Sequence, residues 1–203
     1  MYNYFSKKIV NMLISRNYIP SESGEMYEYC FVLVLSTVTS VLSIILISIL
    51  TKTVLPSVII LISFLACRMC CGGYHAKNHL LCYITTLVNH LCCLGLYLLF
   101  LKHSGILFIF VINAFSLFSL FFFAPAENSN NPMSDSQRRH HVIQCRVIAV
   151  LTAVLCVLEI YFPPIQSRFF CASVGIFSAS LSMIVSLIIN NSKGGEKIEK
   201  DTD

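Results

Sequence analysis

Phe31-Val32-Leu33-Val34-Leu35-Ser36-Thr37-Val38-Thr39-Ser40-Val41-Leu42-Ser43-Ile44-Ile45-Leu46-Ile47-Ser48-Ile49-Leu50 is a run of twenty residues without a charged side chain. At about 1.5 Å of rise per residue, a helix of that length reaches roughly 30 Å, the thickness of a bilayer's hydrocarbon core. Five further apolar runs follow, Val54 to about Cys67, Leu80–Leu101, Ile106–Ala124, Val147–Phe162 and Phe169–Ile189. Together they predict an all-α integral membrane protein with about six transmembrane or re-entrant helices. The second and fifth runs are the shortest and fit either a full crossing or a re-entrant segment. Pro56 falls in the first turn of the second run, where proline is tolerated.

The connections are marked by their own residues. Thr51-Lys52-Thr53 and Lys102-His103-Ser104-Gly105 are tight links, Pro163-Pro164 breaks the chain between the last two spans, and Pro125–Arg146 reads as a long polar loop. Ahead of the spans, residues 1–19 read as an amphipathic helix lying in the membrane interface. Tyr2, Phe5, Ile9, Met12 and Leu13 recur at helical spacing, with Lys7, Lys8, Asn11 and Ser15 opposite. The expected organisation is this interfacial helix, a single membrane-embedded domain over 20–190, and a polar cytoplasmic tail without fixed structure over 191–203.

Composition agrees with a membrane protein. Of 203 residues, 56% are hydrophobic and only 12% charged, about half the charged share of ordinary soluble domains, and the mean hydropathy is +0.76. The first eighteen residues carry Lys7, Lys8 and Arg16 but no long apolar core, so no cleavable signal peptide is expected. The net charge of +4 comes from basic residues at span ends, which points to orientation and anionic lipid rather than nucleic acid. With the N-terminus inside, Lys52, Lys102 and Arg168 fall outside and the other eleven of fourteen basic residues inside, a clear positive-inside bias. The ten cysteines are irregularly spaced and many, such as Cys92, Cys93, Cys156 and Cys171, sit in apolar runs as small hydrophobes, unlike a secreted disulfide framework.

One polar stretch interrupts the apolar pattern: Arg68-Met69-Cys70-Cys71-Gly72-Gly73-Tyr74-His75-Ala76-Lys77-Asn78-His79-Leu80-Leu81-Cys82. Two glycines allow a sharp turn. A histidine moves protons near neutral pH, and a cysteine is the strongest nucleophile at that pH. In one straight helix His75 and Cys82 would share a face but stand roughly 10 Å apart, too far for a dyad. They meet only if His75 precedes the helix and the chain folds back at Gly72-Gly73. Asn78 suits the N-cap position, which puts Cys82 in the first turn, where unpaired N–H groups and the helix dipole favour an anion. His79, three residues before Cys82, is geometrically as good a base as His75.

Two other readings compete. Cys67-x-x-Cys70, Cys71, His75, His79 and Cys82 offer enough soft ligands for zinc, making the 67–82 region a Cys/His metal site. Alternatively these are interfacial residues of a non-catalytic membrane scaffold. Within the spans, Glu159 is functional by default but near enough to a span end to snorkel or be protonated, and Asn89 and His90 are expected to bond to a neighbouring helix.

The run from Arg68 through Gly72-Gly73-Tyr74-His75-Ala76 to Cys82, its flanking spans, and the later Ala124-Pro125…Asn131-Pro132 loop resemble the accessory gene regulator protein B (AgrB) family, bacterial membrane peptidases of quorum sensing. The resemblance covers nearly the whole chain, and the first motif is its specific part. It implies a cysteine endopeptidase that cuts the C-terminal part from a short signalling propeptide and promotes closure of the remainder into a thiolactone or lactone ring. It makes His75 and Cys82 catalytic, choosing His75 over His79, and calls for no cofactor. Arg68, Gly72, Gly73, Asn78 and His79 become site-shaping or substrate-contacting residues. The implied partners are a propeptide with an amphipathic N-terminal helix and the lipid bilayer, with a homodimer left open and no nucleic acid. The implied location is the bacterial cell membrane, multi-pass, and the charge bias puts both termini and the site on the cytoplasmic side. The second loop departs from the family after Asn131-Pro132, at Met133 and the polar residues beyond, and receives no catalytic role.

Overall fold

The computed structural model describes residues 2–72, 79–103, 105–126 and 134–200, which are helical apart from their connections, with no strand among them. Seven α-helices follow in order: α1 (Tyr2–Ser15), α2 (Gly24–Leu50), α3 (Val54–Cys71), α4 (His79–His103), α5 (Ile106–Phe122), α6 (Asp135–Tyr161) and α7 (Gln166–Lys200). Short 3₁₀ turns lie at Ser21–Ser23 and Pro163–Ile165. The chain divides into two compact units, Met1–Lys52 with Ala76–Val88, and Thr53–His75 with Asn89–Asp203. Helix α4 thus gives its first residues to one unit and its remainder to the other.

In the first unit, α1 packs by Ser6 and Val10, both buried. Gly24, the first residue of α2, admits Ile14 to 3.3 Å of where a Cβ would stand. The stripe expected to meet the membrane is the neighbouring one, with Phe5 and Met12 exposed. Asn17 ends the helix in the left-handed region at φ 56°, one of the few positions where a non-glycine residue takes it. Along α2 the buried positions are Val32, Ser36, Ser40, Ile44 and Ser48, one every fourth residue, while Val34, Val38, Leu42 and Leu46 point away. Two of the buried hydroxyls are satisfied inside the helix, Ser40 Oγ donating to Ser36 O (2.9 Å) and Ser48 Oγ to Ile44 O (2.6 Å). A hydrogen bond of 2.9 Å between Ser43 Oγ and Tyr83 Oη ties the start of α4 to α2.

The second unit is built on α3, α5, α6, α7 and the later part of α4. Its closest crossing is α3 on α7. A Cβ at Gly175 would stand 2.6 Å from Ile60 O, 2.8 Å from Ser63 Cβ and 3.1 Å from Phe64 N, so the two backbones meet where only glycine fits. Cys171 and Ala179, one turn to either side and both buried, continue the small-residue face. One cluster gathers Phe64, Cys67, Cys71, Leu120, Cys145, Ala149 and Met183. The other gathers Ile60, Cys93, Phe100, Ile109, Ile112 and Phe170, with the Phe100 and Phe170 rings stacked at 3.9 Å. Asn89 meets the expectation of an interhelical bond by accepting from Ser178 Oγ at 2.8 Å. His90 does not: it is buried, and its Nε2 has no partner.

Among the described residues, five helices are long and apolar enough to cross a bilayer: Gly24–Leu50, Val54–Cys71, Leu80–His103, Asp135–Tyr161 and Pro163–Ile189. Ile106–Phe122, the expected fourth span, is apolar but has 17 residues, about 25 Å at 1.5 Å per residue. Three boundaries differ from expectation. Helix α2 begins at Gly24 rather than Phe31, carried back by the 3₁₀ turn. The expected 125–146 loop is helical from Asp135 onward. Ser134 caps it by accepting from Gln137 N while the Gln137 side chain accepts from Ser134 N, a capping box that outweighs the polar composition of the first turns. The polar tail expected after Asn190 is helical as far as Lys200.

Candidate active site

The polar stretch begins where α3 ends. Gly72 N donates to Arg68 O at 3.0 Å, closing the last turn, and Gly72 itself takes φ +74°. Ala126, just beyond α5, lays its backbone against this end, its N–H donating to Cys71 O at 3.0 Å. A Cβ on Gly72 would stand 2.7 Å from Ala126 O. Glycine is therefore required here twice, by the sign of φ and by the approach of another backbone. Helix α3 thus ends at Gly72, and the Ala124–Ala126 segment, which carried no assigned role, braces that end. Arg68, one turn earlier, places its guanidinium 5.6 Å from the Phe64 ring centroid.

Cys82 lies in the first turn of α4, as expected, and its side chain is partly exposed. The N-terminal end of a helix carries the positive end of its dipole, which favours a negative charge nearby. Thr86 Oγ1 and Thr85 Oγ1 donate to Cys82 O at 2.8 and 3.0 Å, so the carbonyl side of this residue is engaged by the helix that follows. His79 opens α4, three residues before Cys82. Cys82 belongs to the first compact unit, Arg68 and Gly72 to the second. His75, Gly73 and Asn78 lie outside the described residues, as does the side chain of His79.

The family model for accessory gene regulator B matches residues 6–189. The chain belongs to that family. AgrB membership carries with it a role in processing quorum-sensing peptides, at a membrane, and the matched range contains Arg68, Gly72 and Cys82. No curated protein and no solved structure gives a significant match.

The cysteines of this AgrB-family chain group differently from the zinc reading. Cys67 lies beside Cys71, one turn on, with the sulfurs 3.8 Å apart. Cys145, on α6 and far along the chain, places its sulfur 3.2 Å from that of Cys71. All three are buried in one apolar cluster with Phe64, Leu120 and Met183. Among the described residues no group of three His, Cys, Asp or Glu side chains is arranged to hold a metal ion. The partner of Cys71 was illegible in sequence, since nothing in the spacing of Cys145 ties it to residue 71.

A second polar cluster is entirely interior and was not anticipated. Glu159, near the end of α6 as expected, is fully buried within the protein. Its Oε2 accepts from Asn113 Nδ2 at 2.9 Å, and its Oε1 is in close contact with Ser173 Oγ. Ser173 Oγ also lies 3.0 Å from Asn113 Oδ1. Gln166 Nε2 donates to the Glu159 backbone carbonyl at 2.8 Å. The sequence signal for this cluster was the lone acidic residue in an apolar run; its partners became visible only with the packing of α5, α6 and α7.

Proposed function

We propose that this chain is a membrane-embedded cysteine endopeptidase that removes the C-terminal part of a short signalling propeptide and promotes closure of the remainder into a thiolactone or lactone. The observation that carries the reading is the thiol of Cys82, partly exposed in the first turn of a membrane-length helix. The Gly-Gly-Tyr-His segment stands just before it in an AgrB-family chain. The sulfur of Cys82 attacks the scissile carbonyl carbon while His75 takes the thiol proton. The tetrahedral adduct collapses as His75 returns that proton to the departing amine, leaving a Cys82 thioester. The positive end of the α4 dipole, at the turn that holds Cys82, stabilises the oxyanion. A thiol or hydroxyl of the propeptide then displaces Cys82 from the acyl group, exchanging one ester for another and closing the ring. Chemistry at the bilayer edge limits the water that would otherwise hydrolyse the thioester. Arg68, Gly72, Gly73, Asn78 and His79 shape the site or contact the substrate around the two catalytic side chains.

The test uses the full chain co-expressed with its propeptide. His75→Ala should abolish cleavage while His79→Ala keeps most of it, and a hydroxylamine-sensitive adduct should form on Cys82 and vanish in Cys82→Ala. The reverse histidine pattern would assign the base to His79. The zinc reading requires instead that Cys67→Ala, Cys70→Ala and Cys71→Ala each stop activity and that purified protein carry zinc in stoichiometric amount.

A further inference from the structure

The interior cluster around Glu159 can be solved for its hydrogens. Asn113 Nδ2 lies 3.0 Å from the backbone carbonyl of Ile109, an acceptor only, so the amide orientation is fixed: Nδ2 faces Ile109 O and Glu159 Oε2, and Oδ1 faces Ser173. Ser173 carries one hydroxyl hydrogen and faces two oxygens, Asn113 Oδ1 and Glu159 Oε1, so with Glu159 ionised one of the two contacts has no hydrogen. With Glu159 protonated on Oε1, its own O–H fills the close contact with Ser173 Oγ while the serine hydrogen goes to Asn113 Oδ1, and neither contact is left empty. A carboxylate would leave either Asn113 Oδ1 or Glu159 Oε1 facing a serine lone pair.

Burial makes the same demand. Glu159, Asn113 and Ser173 are each at most 1% exposed. The partners of the Glu159 carboxyl, Asn113 and Ser173, are both uncharged, so a carboxylate would be a buried charge without a counter-ion, which is strongly unfavourable. We propose that Glu159 is a proton-binding site, its carboxyl held as the neutral acid whose Oε1–H donates to Ser173 Oγ and closes a hydrogen-bonded ring across α5, α6 and α7. Around the ring, the glutamic acid donates to the serine, the serine to the asparagine carbonyl oxygen, and the asparagine amide back to Glu159 Oε2. Every donor and acceptor is used, with Ile109 O taking the second amide hydrogen. Gln166, on the backbone of Glu159, secures the end of α6 from the start of α7. The assignment does not depend on the role of Cys82.

Glutamine reproduces this hydrogen pattern, an NH₂ in place of the acid O–H and a carbonyl oxygen in place of Oε2. The full chain is reconstituted in lipid vesicles at neutral pH. Glu159→Gln should keep the wild-type thermal midpoint and propeptide processing, whereas Glu159→Ala should lower the midpoint by several degrees. The infrared spectrum of wild type minus Glu159→Gln should contain the carbonyl stretch of a protonated carboxylic acid, and Asn113→Leu should move that band to higher wavenumber as Oε2 loses its donor. A carboxylate band in the difference spectrum would overturn the proposal, as would a Glu159→Gln protein as unstable as Glu159→Ala. Should Asn113→Leu fail to fold, the glutamine comparison and the wild-type spectrum decide alone.

Discussion

A methyl group added at Gly72 would meet the carbonyl oxygen of Ala126 at 2.7 Å, and it would do so on a backbone already at φ +74°. Neither strain can relax cheaply, because the opposing atom is backbone and is anchored by the Ala126 N–H to Cys71 O bond. Gly72→Ala should therefore destabilise the protein by about 1–3 kcal/mol, the range for a non-glycine residue forced into a sparsely populated backbone region. The thermal midpoint of the protein in detergent micelles measures this, and propeptide processing should fall with it, since Gly72 starts the segment that leads to His75. An unchanged midpoint would mean that the Ala126 contact is not made. At the same scale, Cys71 illustrates why cysteine content is a poor guide to chemistry. Its sulfur neighbours, Cys67 and Cys145, share an apolar interior, where a thiol fills space like any small hydrophobe.

Between elements the deciding feature is small-residue packing. Without a hydrophobic drive between helices in lipid, close backbone approach supplies the attraction, and α7 meets α3 at Gly175 for that reason. Two glycine substitutions separate this packing effect from helix propensity. Gly175→Ala places a methyl within 2.6 Å of Ile60 O and should cost about 1–3 kcal/mol by overpacking. Gly95→Ala in α4 meets nothing within 4 Å and should be neutral or stabilising by about 0.4–1 kcal/mol through reduced freedom of the unfolded chain. Thermal unfolding of the pair in one detergent decides the matter, and equal losses at both sites would refute the close crossing. The boundary of α6 is an element-scale lesson of another kind. Its first turns are polar enough to look like loop, yet Ser134 and Gln137 satisfy the exposed end of the helix reciprocally.

Across the whole molecule the polarity is arranged for lipid. Serines, two threonines, a histidine, an asparagine and a glutamic acid are buried, while Leu46, Ile62, Leu107, Val150 and Ile188 face outward. Several interior hydroxyls are paired within their own helices: Ser116 donates to Ile112 O (2.8 Å), Thr152 to Ile148 O (2.8 Å) and Ser180 to Ile176 O (2.9 Å). For orientation, the eleven-to-three distribution of basic residues supports six crossings with both termini in the cytoplasm. Reporter fusions at Lys52, Lys102 and Arg168 should then read outside and a fusion at Gln137 inside. A reporter at Gln137 found outside would overturn that orientation and put the 134–146 segment on the other face.

The amino-acid sequence by itself determined the class and the outline. Apolar length, charge placement and mean hydropathy are one-dimensional quantities, and in a bilayer they translate directly into helices, because no other unpaired backbone survives there. The AgrB motif around Gly72 and Cys82 was equally legible, being carried by adjacent residues, and so was the place of Cys82 in the first turn of its helix. The tertiary structure alone decided which side chains meet across the bundle: Ala126 against Gly72, Cys145 against Cys71, Gly175 against Ile60, and Asn113 with Ser173 around Glu159. Those pairings depend on which face each helix turns toward its neighbours. In a chain that is apolar on nearly every face, the hydrophobic pattern does not distinguish the face that packs from the face that meets lipid, and only the close fit of small residues and the pairing of buried polar atoms selects between them.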